Sequence, residues 1–412
     1  MLLNHKIVYC FIILKFLLIG FVPAANSDDN FNVWLSSYKK FALKKGVSQE
    51  TINIAFKNVE FLVQVIKYDR KQPEFYEDTI TYISKRTNKE KIKSGINLYN
   101  KNKLLINSID EEFLVEKELL LALMGIETNF GTYVGKMDII SSLATLSFDK
   151  RRSDFFTNEL ITILQLVEKG IIDHKILYGS WAGAFGNFQF MPSTIMDHAI
   201  DYDSDNKIDL KSLNDSFASA ANYINKLGWK KDDPCYLKIE LNDKVPTTLL
   251  NTSAKKIKNK EKLKILKKYI KDPDKIKFDE NMKVAIITPD IDIIPNANIL
   301  NPAYLVFENY EIILKWNRSL RFGLAVCNLK NKFKNKLQFI KKKLHKNNIE
   351  TRDFFYPLHK QPILNKLGLF KNERYPNAEY ISKNGFYIPS GLGMTKKEQL
   401  NVIKVINKVL EN

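Results

Sequence analysis

Cysteine is scarce, with three in 412 residues, too few to knit a disulfide scaffold. No internal repeat is apparent, and the first 27 positions hold no Asp or Glu. Hydrophobic residues at 45% and charged residues at 27% lie close to globular averages, which excludes wholesale disorder. The length exceeds one ordinary domain and suits two or three. Acidic residues are also in deficit, 46 against 64 Lys and Arg, leaving a formal charge of +18. Such a field favours anionic partners, although a lysine- and asparagine-rich genome would equally produce it.

The acid-free N-terminus reads as a cleavable signal peptide over residues 1–27. His5 and Lys6 precede an apolar run from Ile7 to Val22, broken only by Lys15, and Ala25 and Ser27 suit signal peptidase. Its length and Lys15 argue against a membrane anchor, and no lipobox cysteine follows a small residue there. The expectation is a periplasmic protein that keeps Cys235 and Cys327; whether these two pair is left open. An exported chain meets envelope material rather than the genome, so nucleic acid is not an expected partner. Peripheral envelope association is compatible with the charge, and a monomer is expected.

From Phe31 to about Asp233 the apolar spacing is helical. Ser48 followed by Thr51, with Glu50 between, reads as a helix start. Residues 253–277 hold eleven lysines with Ile257, Leu263, Leu266 and Ile270 at helical intervals, which predicts a solvated surface helix. Residues 282–314 carry β-type runs, Val284–Ile287 and Tyr304–Phe307, separated by prolines.

Three segments carry chemistry. Leu119 to Gly131 is apolar enough for a buried helix, and Glu127 stands at its C-terminal end. Apolar surroundings disfavour a carboxylate, so this side chain can hold a proton near neutrality and act as a general acid; a helix-end Glu facing water is the plainer alternative. Gly179 to Thr194 places glycines at 179, 183 and 186, letting the backbone turn tightly and approach a ligand. Ser180 and Gln189 offer polar contacts, Phe185, Phe188 and Phe190 flat surface for sugar rings, and Pro192 opens the next helix. In Asn214 to Trp229 a helix capped by Asn214 and ended by Gly228 carries Tyr223, whose hydroxyl can reach Glu127 if the two helices pack.

The runs Asp69 to Phe75, Gly125 to Gly131, Leu143 to Phe148, Gly179 to Ser193, Ala221 to Tyr223, Phe307 to Tyr310 and Lys315 to Ser319 resemble the lytic murein transglycosylase B family over about residues 31–330. The resemblance implies a mainly α fold: a goose-type lysozyme-like α+β catalytic domain with flanking helices and a small β insertion. It implies Glu127 as sole catalytic acid and base, with Ser180, Gln189 and Tyr223 orienting it and lining the cleft. Arg151 and Arg152 match an arginine pair near the substrate. Trp316 stands where relatives often carry Tyr before Asn317; the change removes a hydroxyl and leaves stacking as the implied role. The implied reaction cuts the MurNAc-β-1,4-GlcNAc bond of peptidoglycan glycan strands and leaves 1,6-anhydro ends, without a cofactor. A hydrolytic muramidase on the same site, or a silent wall-binding scaffold, are the competing readings.

Asp201, Asp203, Asp205, Lys207 through its carbonyl, and Asp209 occupy positions of a calcium loop. Asn206 and Ser212 depart from that pattern, so a structural calcium and an Asp-rich capping turn both remain open. The C-terminal tail, residues 336–412, reads Tyr356-Pro-Leu-His359, Tyr375-Pro-Asn-Ala-Glu379 and Phe386-Tyr-Ile-Pro389. It resembles the end of the DegT/DnrJ/EryC/StrS sugar aminotransferases and implies a short α/β-type segment. The cofactor lysine of such enzymes lies in a part with no counterpart here, so pyridoxal phosphate is not expected and His359 reads as structural. Boundaries are therefore placed at 27/28 and 335/336.

Overall fold

A computed structural model describes residues 27–71, 76–291, 293–334, 336–370, 373, 375–391 and 393–411. The signal-peptide reading falls outside these residues except at Ser27, as do Gln72 to Phe75 of the first matched run. The chain forms two compact units, Met1–Val326 and Cys327–Asn412. Among the described residues no helix is long and apolar enough to cross a membrane.

The first unit is built on helices. In α1 (Ser27–Lys44) Phe31, Leu35, Tyr38 and Ala42 recur at spacings of four and three and are all buried, the stripe of an amphipathic helix. Ser48 caps α2 (Gln49–Ala55) by accepting from the Thr51 N–H, the start legible in the sequence. Helices α3 (Val63–Arg70), α4 (Thr79–Arg86), α5 (Lys89–Lys101) and α6 (Lys103–Phe113) follow. At the centre lies α7 (Lys117–Thr128), where Leu119 to Met124 are each at most 3% exposed. A helix apolar on every side must be enclosed by others, and here α5, α6 and α11 (Leu213–Lys226) contact it. Helix α8 (Ile139–Phe148) is buried from Ile139 to Ser147 and packs on α9 (Ser153–Glu168). Its polar residues serve the neighbouring loop: Ser141 Oγ accepts from the Glu60 N–H at 3.2 Å and Thr145 Oγ1 from the Leu62 N–H at 2.9 Å.

A five-stranded sheet is inserted after α11. Strands β3 (Tyr236–Ile239), β7 (Ala303–Val306), β6 (Lys283–Ile287) and β4 (Leu250–Asn251) lie in that order, with β5 (Lys260–Lys262) also pairing β6. The remaining strands, β1 (Met137–Asp138) and β2 (Tyr178–Gly179), form a separate antiparallel pair. The expected lysine-rich surface helix over 253–277 is not there. That stretch contains β5, antiparallel to β6 with Lys260 opposite Ala285, a single helical turn at Leu263–Leu266 and 3₁₀ turns. Its Leu263, Leu266 and Ile270 enter the core of the sheet instead of marking one face of a helix. The β-type runs at 284–287 and 304–306 are strands as expected.

Helix α10 (Pro192–His198) begins at its proline, and α12 (Glu308–Trp316) and α13 (Leu320–Lys334) complete the unit, α13 crossing its boundary. Cys235 and Cys327 are both disulfide-bonded. In the second unit α14 (Lys336–Lys346) contacts α15 (Lys396–Glu411) around Leu344, Ile349, Val402 and Val409. A short antiparallel pair joins Arg352 to Tyr387 and Asp353 to Phe386. His359 is held by Glu379 at 2.8 Å with its ring against Tyr375, a structural placement. The chain is thus mainly α, with a small β insertion and a short mixed tail.

Candidate active site

Glu127 sits in the last turn of α7, half-buried, before Asn129 and Phe130 take left-handed backbone at φ 50° and 61° and turn the chain away. The helix end is fixed by its neighbour. Thr128 Oγ1 donates to the Asn187 carbonyl at 2.7 Å and accepts from the Gly131 N–H at 3.0 Å. Asn187 is in turn tied to α11: its N–H donates to the Leu210 carbonyl, and its amide to the Lys211 carbonyl and Ser216 Oγ at 3.0 Å each. The residue beside the carboxylate, the glycine loop and α11 therefore share one hydrogen-bond chain. Thr128 and Asn187 went unremarked in the sequence, where only their adjacency to Glu127 and Phe188 could have flagged them.

The glycine loop follows from Ser180 and Gln189. Ser180 Oγ accepts from the Ala184 N–H at 3.0 Å and the Ala182 N–H at 3.3 Å. Gln189, at φ 53°, donates from its amide to the Gly186 carbonyl at 2.9 Å and the Val134 carbonyl at 3.2 Å. Gly186 has φ 76°, and a β-carbon there would lie 2.5 Å from the Leu210 carbonyl oxygen; only glycine fits that crossing. Phe185, Phe188 and Phe190 do not offer open surface for sugars: they are 1%, 2% and 3% exposed. The loop spends these rings on packing, because its backbone is too glycine-rich to hold a shape without a buried anchor.

Phe188 and Phe190 instead form the wall behind Trp316, with ring centroids 6.4 and 5.4 Å from its ring. Tyr223 lies against both Trp316, at 5.2 Å and 31°, and Phe190, at 5.9 Å, and stacks on His198 at 4.4 Å. Burial raises the Tyr223 phenol above its usual ionisation range, and Asp197 adds to the shift. The sequence put a hydrogen-bonding role for Trp316 in question and left stacking open. Its indole Nε1–H donates to Glu127 Oε1 at 3.0 Å, so the residue without a hydroxyl still supplies a donor. Tyr223 joins the site through that indole ring. Asn317 ends α12 with extended backbone, its N–H donating to the Ile313 carbonyl.

Arg151 and Arg152 converge elsewhere. Both pair with the carboxylate of Asp69, which is 3% exposed, and Arg151 also donates to the Asp69 carbonyl. They fasten the end of α3 to the start of α9, and no described contact joins them to Glu127. Asn214 is not the cap of α11. Ser212 is, accepting from the Asp215 N–H, while the Asn214 amide donates to Asp203 at 2.9 Å.

Asp201 and Asp203 meet Asp215, carboxylate oxygens of all three lying within 4.8 Å of one another. Asp205 and Asp209 accept from the Lys207 and Lys211 N–H groups, as turn residues do. Burial, then the charges of Asp203 and Asp201, push the Asp215 carboxyl up against opposing backbone donors from Tyr202 and Asp209. An all-oxygen cluster of this kind fits a hard cation. Asp215 was not foreseen, because it lies in α11, three residues beyond the loop's last position.

Residues 30–331 match the model of the transglycosylase SLT domain. The chain belongs to that family. Residues 312–407 also match the DegT/DnrJ/EryC1/StrS aminotransferase family. Membrane-bound lytic murein transglycosylase B of Escherichia coli K12 is 35% identical over 155 residues, 37% of this chain and 43% of that protein; the chain thus matches less than half the length of that curated relative. SltB3 of Pseudomonas aeruginosa in complex with NAG-anhNAM-pentapeptide superposes with a TM-score of 0.65 at 25% identity, covering 77% of this chain and 88% of that one. The Escherichia coli lytic transglycosylase Slt35 in complex with calcium gives 0.61 at 23% identity, covering 75% and 94%. The family match spans the residues Glu127, Ser180, Gln189, Tyr223 and Trp316.

Proposed function

We propose that this SLT-family chain is a peptidoglycan lytic transglycosylase in which Glu127 serves as both acid and base. The observation that carries the reading is one carboxylate at the end of a buried helix, gripped by an indole N–H beside a glycine loop that contains no Asp or Glu between Gly179 and Met191. Hydrolases of the common kind need a second carboxylate; a transglycosylase can use one twice. Glu127 gives its proton to the departing O4 of N-acetylglucosamine as the bond to C1 of N-acetylmuramic acid breaks. It then takes the proton of the C6 hydroxyl of that same residue as this oxygen bonds to C1. The product is a 1,6-anhydro end, no water enters, and Glu127 regains its starting state. The acetamido oxygen of the sugar supports the cationic centre between the steps. Ser180 and Gln189 shape the loop that faces the strand, Tyr223 and Trp316 supply its aromatic wall, and Asn317 sets the end of α12. Arg151 and Arg152, a third of their surface or more still open, attract the anionic peptide stems.

Two further readings accompany it. Asp201, Asp203 and Asp215 hold a structural calcium, supported by their convergence and by the calcium complex of Slt35. The protein works outside the cytoplasm, supported by the apolar, acid-free residues 1–27 and by disulfide-bonded Cys235 and Cys327.

Mass spectrometry of muropeptides released from purified sacculi tests the reaction. Wild type is expected to release anhydro-ended fragments, and Glu127→Gln, which keeps the shape but cannot shuttle a proton, to release none at matched circular dichroism. Reducing ends would make the enzyme a hydrolase, and a Glu127→Gln variant within tenfold of wild type would remove Glu127 from the chemistry. For calcium, the melting midpoint should rise at concentrations on the order of millimolar, and the rise should vanish in the Asp203→Asn, Asp215→Asn double variant.

A further inference from the structure

Trp316 does more than line the cleft. Its indole nitrogen carries a hydrogen and no accepting lone pair, so it can only donate. That donor meets Glu127 Oε1 at 3.0 Å. A proton placed on Oε1 would take one of its two lone pairs and leave a hydroxyl oxygen, a poorer acceptor for the indole N–H, whereas one placed on Oε2 would leave the contact to a carbonyl oxygen intact. The donor is also immobilised. Phe190 and Phe188 meet the indole edge-on at 66° and 70°, and Tyr223 covers it at 31°. Behind the ring, Ile312, Ile313 and Leu314 of α12 are buried, and the chain is locked by the bonds from Asn317 N–H to the Ile313 carbonyl and from Ser319 N–H to the Asn317 carbonyl. A tyrosine hydroxyl at this point could rotate and serve either oxygen as donor or acceptor; the indole cannot.

We infer that Trp316 is a positioning residue that confines the transferable proton of Glu127 to Oε2. The inference rests on the reading of Glu127 as acid and base. Both transfers then run through one oxygen, with no rotation of the carboxyl between donating to O4 and accepting from the C6 hydroxyl. The same N–H favours the ionised carboxylate over the acid.

The test replaces Trp316 in the full chain with 3-benzothienylalanine, which keeps the ring size but lacks the N–H, and in parallel with Phe. Anhydro-muropeptide release from sacculi is followed against pH and substrate, with near-UV circular dichroism as the check on packing. Activity requires a protonated Glu127, so it is lost as pH rises through that ionisation; removing the donor raises the ionisation and should move the alkaline limb up by about one pH unit. The maximal rate should fall about tenfold to a hundredfold as the carboxyl loses its fixed orientation, with KM within about twofold. The benzothienyl variant decides if Phe perturbs packing. An unmoved limb with unchanged rate, or a raised KM alone, would overturn the inference and leave Trp316 as a stacking surface. Failure of the underlying reading is separate: it would show as retained activity in Glu127→Gln, whatever the Trp316 variants do.

Discussion

Asp290 is 7% exposed, and its Oδ1 receives the Arg321 guanidinium at 2.8 Å together with the N–H and hydroxyl of Thr79. Arg321 is itself only 1% exposed, so Asp290→Ala removes a charged hydrogen-bond partner from a buried cation and should cost about 3 kcal/mol, read as a lowered urea midpoint. A second buried acid gives a pH signature. Glu159 accepts from the N–H and hydroxyl of Ser193 at 2.9 and 2.7 Å, yet burial pushes its carboxyl above the ordinary 4.5, and Asp197 adds to this. The folded state therefore binds this proton more tightly than the unfolded one. Stability drawn from the neutral form is full below pH 4.5 and is lost as pH rises through the raised value. Glu159→Gln should flatten that part of the melting curve against pH; an unchanged slope would show that another group sets it. At this scale the sequence singled out Glu127 but not the indole N–H that meets it. Loss of a hydroxyl at Trp316 is visible in a string of letters, whereas the direction of an indole N–H depends on how α12 meets α7, a long-range matter.

Helices with a local cause were readable: the Ser48 cap, the proline start of α10 and the uniformly apolar α7 need only neighbouring residues. The lysine-rich stretch was not, because helical spacing of Ile257, Leu263, Leu266 and Ile270 is equally met by a strand followed by a turn. Asn251 decides it, its amide donating to the Asn259 and Ile286 carbonyls and its oxygen accepting from the Lys258 and Asn259 N–H groups. Those bonds bend the chain back onto β6, a tertiary choice that no window of residues contains. The glycine loop offers the sharpest test of an element. Gly186→Ala forces a β-carbon against Leu210 in left-handed backbone and should cost at least about 2 kcal/mol. Because the same loop positions Gln189, lysis of sacculi should fall more steeply than thermal stability does.

The C-terminal tail differs from the rest of the chain in charge. Residues 336–412 hold fifteen Lys and Arg against six Asp and Glu, a large part of the whole surplus on a fifth of the chain. Glu127, Ser180, Gln189, Tyr223 and Trp316 all precede it, so a chain ending at Asn335 should cleave sacculi within a fewfold of the full one while binding them more weakly at low salt, where exposed charges act furthest. A folded but inactive truncation would make the tail part of the working enzyme. The tail's family likeness was legible in its Tyr-Pro and His motifs, but its exposed Phe355, Tyr356, Leu358, Ile363 and Leu367 were not, since exposure depends on how distant segments pack. The lysines of the sheet have a different consequence for the molecule. Strand β5 reads Lys-Glu-Lys, with Lys260 and Lys262 exposed, and lies along β6 at one margin of the sheet. Neighbouring copies that tried to extend that margin would bring like charges together, which keeps crowded molecules from zipping into aggregates. Lys262→Val should leave lysis intact and yet produce turbidity and light scattering at concentrations where wild type stays clear.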